Sequence, residues 1–98
     1  MSEDSQIVVP ASFVALFVEP GRIKPSASQA EIAARYEFCE DLAVVLVDQA
    51  KTLQWQLGIA DSDVLSRVHE GLLSPASGVS APEAQWVTRR LAELLACG

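Results

Sequence analysis

Residues 28–57, SQAEIAARYEFCEDLAVVLVDQAKTLQWQL, decide the fold. The stretch contains neither Pro nor Gly, and Ile32, Tyr36, Cys39, Ala43, Leu46, Ala50, Leu53 and Leu57 recur at alternating spacings of four and three. That rhythm keeps side chains on one stripe of a helix. Ser28 with Glu31 three residues on is a capping box, in which each side chain satisfies a backbone N–H of the other residue. Gly58 suits the left-handed position after a last turn. The predicted element is therefore one rod of roughly 45 Å, at about 1.5 Å per residue.

Beside the seam, Phe38, Leu42 and Val45 form a second apolar row, and Val44 and Val47 spread the apolar character further. Over residues 42–47 the helix is apolar on every side, which predicts a central rod with neighbours around much of its girth. Glu37, Glu40, Asp41 and Asp48 flank this girdle and read as a solvated face. Glu37, Glu40 and Asp41 lie within about one turn, but di-metal bundles need a Glu-x-x-His repeat on facing helices, and none occurs here. No metal site is expected.

Outward from the rod, Pro10 opens a short helix over residues 10–18, because its missing N–H has no helical partner in a first turn. Phe13, Leu16 and Phe17 share a face there, and the helix is apolar nearly all round, so it is either buried or docked on another chain; burial is the favoured reading. Glu19-Pro20-Gly21 breaks it, and the connector through Ala27 carries Arg22 and Lys24 in the only net-basic segment. Beyond Gly58, Asp61 is a cap for a third helix over residues 62–73, with Val64, Leu65, Val68 and Leu72 inward and His69 outward. A Ser-, Pro- and Gly-containing connector follows. Ser80 and Glu83 repeat the capping box and open a fourth helix to about Ala96, with Ala84, Val87, Leu91, Leu94 and Leu95 inward. The fold class is a small all-α four-helix domain over residues 10–98, preceded by an extended segment over residues 1–9. The second helix is expected to be packed by the other three.

Across its 98 residues the chain is half apolar, and thirteen acids against seven bases give a net charge of −6. Such a charge repels nucleic acid and anionic lipid at long range, and no apolar run is long enough to cross a bilayer. The acidic first residues lack the positive leader of a secretory signal, which points to the cytoplasm. Two cysteines are too few for a disulfide scaffold; Cys39 falls on the seam as a small hydrophobe, and Cys97 is expected to be exposed.

Phosphate-cradling, dinucleotide-binding, zinc-protease, Cys-x-x-Cys and nucleophile-elbow patterns are all missing. The single histidine leaves no acid–base–nucleophile pattern, so neither a catalytic residue nor a cofactor is assigned. Several runs nevertheless carry a resemblance: Ile7-Val8-Val9-Pro10 with Ser12-Phe13, Glu31-Ile32-Ala33-Ala34-Arg35-Tyr36-Glu37, Cys39-Glu40-Asp41, Asp63-Val64-Leu65, Arg67-Val68-His69, and Trp86-Val87 with Arg89-Arg90-Leu91. With these the chain resembles a family of small bacterial proteins of unassigned mechanism, some labelled as ATPase with chaperone activity. The label implies nucleotide hydrolysis or a chaperone-associated role, although the phosphate loop and its lysine are missing here.

The residues themselves point to a non-enzymatic accessory module that binds another protein or a second copy of itself. The rod is longer than each predicted neighbour, which leaves seam for another chain. Candidate interaction residues are Phe13, Phe17, Arg22, Lys24, Val44, Val47, Trp55 and Trp86; each indole is also suited to a core edge. A third reading is a small-molecule site between helices, reported by Trp55 or Trp86.

Overall fold

Two serine–glutamate pairs set where the two longest helices begin. The computed structural model describes residues 8–97 and holds four α-helices: α1 (Ala11–Val14), α2 (Gln29–Leu57), α3 (Asp61–Leu72) and α4 (Ala81–Cys97), with no strand among the described residues. At the start of α2 the Ser28 N–H donates to Glu31 Oε1 at 2.9 Å, and the Glu31 N–H donates to Ser28 Oγ at 3.1 Å. The start of α4 repeats the arrangement, with Ser80 N–H to Glu83 Oε1 at 2.9 Å and Glu83 N–H to Ser80 Oγ at 3.2 Å. Each box satisfies backbone donors that the first turn leaves bare. At the other end of α2, Gly58 takes φ +61° and donates its N–H to the Gln54 carbonyl at 2.8 Å, closing the rod as the sequence predicts.

The chain divides into two compact units, Met1–Phe38 and Cys39–Gly98. In the first, Phe13 is the anchor: it is wholly buried, 5.5 Å from the Phe17 ring and 5.7 Å edge-on from Tyr36. Edge-to-face rings at such distances add to the apolar area they bury. α1 is shorter than predicted. Pro10 is extended and stands outside the helix as its cap, and after Val14 the backbone tightens into a 3-10 turn over Ala15–Phe17. The correction has a local cause: four α-helical residues fall far below the length at which a helix sustains itself, so packing of Phe13 sets the geometry. The part of the extended segment in residues 1–7 lies outside the described residues, and Val8 and Val9 have no regular secondary structure.

In the second unit, Ala50, Val64 and Leu91 form the buried centre, with Leu46, Leu53, Ile59, Val68 and Leu95 packed around it. The inward stripes expected of α3 and α4 are the ones observed: Val64, Leu72, Ala84, Val87 and Leu91 are buried, and Leu65, Val68, Leu94 and Leu95 are half-buried. Asp61 is not the cap of α3. Ala60 occupies that position with no side-chain bond, while the Asp61 carboxylate accepts from the Gln54 amide.

Along α2 the seam behaves as its spacing demands, with Ile32, Cys39, Ala43 and Ala50 buried and only Leu57 largely exposed. The girdle does not. Val44 is 53% exposed and Val45 is 60% exposed, which overturns the expectation of neighbours all round. In this unit α3 and α4 meet the side of α2 that carries Leu46 and Ala50, and the far side of the same turns is left bare.

Candidate interaction face

Of the eight residues the sequence singles out for interaction, the structure separates buried from available. Phe13 and Trp86 are buried, at 0% and 9% exposure, so both serve the interior. Phe17 is half-buried beside Phe13, and Val47 is half-buried against the core of the second unit. Arg22 and Lys24 are exposed and, with Glu19 and Ser26, border a small hollow of about 190 Å³. Their loop is shaped by its own backbone: Arg22 N–H donates to the Glu19 carbonyl and Ser26 N–H to that of Phe17. Val44 and Trp55 remain, both on α2 and both open to solvent, Trp55 at 86%.

These two belong to one stripe. Val44, Asp48, Lys51 and Trp55 follow at spacings of four, three and four, which stacks them on a single side of the helix. All four are exposed. The stripe turns away from Leu46, Ala50 and Leu53, and adjoining Val45 enlarges its apolar share. An indole held bare on a rigid helix is poor in internal contacts and well suited to seat on another surface.

One turn before Val44, α2 and α4 are clamped by charge. Arg90 donates from Nε to both Glu40 carboxylate oxygens, at 2.9 and 3.1 Å, and from Nη2 to Oε2 at 3.0 Å; its Nη1 reaches Glu93 Oε1 at 3.0 Å. Bonding to Glu40 first, and to Glu93 second, raises the Arg90 guanidinium above its ordinary range. By sequence alone Glu40 falls on a solvated face. Its partner lies fifty positions away, and neither local spacing nor charge pattern could have joined them.

His69 is half-buried and lines a shallow groove between α3 and α4, of about 440 Å³, with Ser66, Thr88 and Arg89. Thr88 spends its hydroxyl on the Ala84 carbonyl at 2.8 Å. In the first unit a larger hollow, about 880 Å³, is bordered by Val9, Val14, Pro25, Ala27, Ile32 and Ala33. Among the described residues no three His, Cys, Asp or Glu side chains gather closely enough to hold a metal ion, and no helix is long and apolar enough to cross a membrane. Cys39 is buried and Cys97 exposed, as their positions in the pattern predict.

The fold and its bare stripe define a small all-α protein with an exposed helix side that carries Val44 and Trp55 at its ends and Asp48 and Lys51 between them. No family model, curated relative or solved structure matches the chain.

Proposed function

We propose that the protein is a non-enzymatic accessory module of the cytoplasm that works by presenting the outer side of α2 to another protein. The exposure of Trp55, on the same side of α2 as exposed Val44 about three turns away, carries this reading, because a small domain gains nothing for its own stability by holding an indole in water. The net charge of −6 supports a protein partner over nucleic acid or an anionic membrane. A chaperone-associated role, implied by the family resemblance, would draw on the same face.

The test is a photo-reactive side chain placed at Trp55 in the intact protein in its native cell, compared with the same group at Gln85, which is exposed on α4. Discrete protein adducts at position 55 and none at position 85 are expected. Equal labelling at both, or none at either, overturns the reading. The large hollow of the first unit favours a second reading, a small apolar ligand. Thermal-shift screening checks it, with Mg-ATP included to test the hydrolase implied by the resemblance; the second reading fails if no apolar ligand raises the melting temperature.

A further inference from the structure

We infer that the partner of the α2 stripe is a second copy of this chain, bound antiparallel about a two-fold axis; the inference rests on the interaction-module reading and names its occupant. Val44, Asp48, Lys51 and Trp55 alternate spacings of four and three, the spacing at which two helices can face each other along one side, with apolar residues at its ends and opposite charges at its middle. Two-fold pairing is self-complementary: if one residue meets another across the interface, the second meets the first. In an antiparallel pair, facing positions keep a constant sum of residue numbers. Val44 with Trp55 has the same sum as Asp48 with Lys51.

One register therefore satisfies all four residues at once. Each indole lies over the partner's valine at the two ends of the seam, about 16 Å apart along the axis at 1.5 Å per residue, and two Asp–Lys pairs close its centre. Other arrangements conflict. A parallel in-register pair sets aspartate on aspartate and lysine on lysine, which is repulsive. Sliding the antiparallel pair by one heptad sets Val44 against Asp48 in one direction and Trp55 against Lys51 in the other. The seam lies on the side of α2 turned away from Leu46 and Ala50, so pairing disturbs none of the second unit's core. With two apolar layers the association is modest and concentration-dependent, and the central ion pairs select the orientation more than they add affinity.

The experiment is sedimentation equilibrium of the full chain from micromolar to millimolar concentration, for the native protein, Asp48→Lys, Lys51→Asp and the double reversal. All positions changed are exposed, and circular dichroism confirms an unchanged fold. The native chain is expected to form a reversible dimer. Each single reversal places like charges together twice and raises the dimer Kd at least about tenfold, whereas the double reversal returns it to within about threefold of the native value. A concentration-independent monomer, a dimer indifferent to the single reversals, or a double reversal that fails to restore it overturns the inference. Specific adducts at position 55 with a different protein, together with a strict monomer, would leave the interaction module standing and remove self-pairing alone.

Discussion

Replacing Leu91 by alanine probes the second unit at its centre. The side chain is fully buried, and its buried neighbours in the cluster are Ala50 and Val64. Truncation removes three carbon atoms, which at about 0.8 kcal/mol per buried methylene is about 2.4 kcal/mol of lost transfer free energy. A cavity term adds to it. The Ala50 methyl cannot swing into the gap, and Val64 is β-branched and held to one rotamer in a helix, so collapse is left to the surrounding Leu46, Leu53 and Leu95 and is partial. The total should fall near 3.5 kcal/mol, within the range known for buried leucines. Urea unfolding followed by far-UV circular dichroism measures it: the midpoint should move to lower urea with an unchanged slope. Leu91→Met, which conserves volume, should cost less than about 1.5 kcal/mol. A loss below about 1.5 kcal/mol for the alanine variant would refute the view that this leucine fills a closely packed, buried centre.

Four further outcomes follow from the same geometry. Because Arg90 and Glu40 are 33% and 23% exposed, their coupling in a double-mutant cycle should be near 1 kcal/mol and not the 3–5 of a buried pair; added salt should reduce it. Ser80→Ala should cost about 1 kcal/mol by thermal unfolding, through loss of the α4 capping box. The Glu31 carboxyl is held below its ordinary range by the Ser28 backbone N–H, then by the Ser28 hydroxyl. Its folded pKa is thus depressed, so this stabilisation is present above the unfolded value and is lost as pH falls through the folded one; Glu31→Gln, which removes the titrating carboxyl, should flatten that part of an acid titration of stability. Gly58→Ala should destabilise by about 1 kcal/mol, since φ is +61° and a Cβ there meets nothing within 4 Å, leaving backbone strain as the whole cost.

The sequence by itself determined the local structure: the long helix, its capping boxes, its glycine stop, the inward stripes of α3 and α4, and the burial of Cys39. These depend on interactions within a few residues, on side-chain period and on the bonding needs of a helix end, all of which are written along the chain. Tertiary structure alone decided which side of a uniformly apolar turn is covered. Residues 42–47 look alike from every direction in sequence, and only the placement of α3 and α4 leaves Val44 and Val45 in water. It likewise sent Trp86 inside, although that residue sits off the inward stripe of α4, and it joined Arg90 to Glu40. A helix's period says which residues share a face; which face finds a partner depends on contacts between segments far apart in the chain.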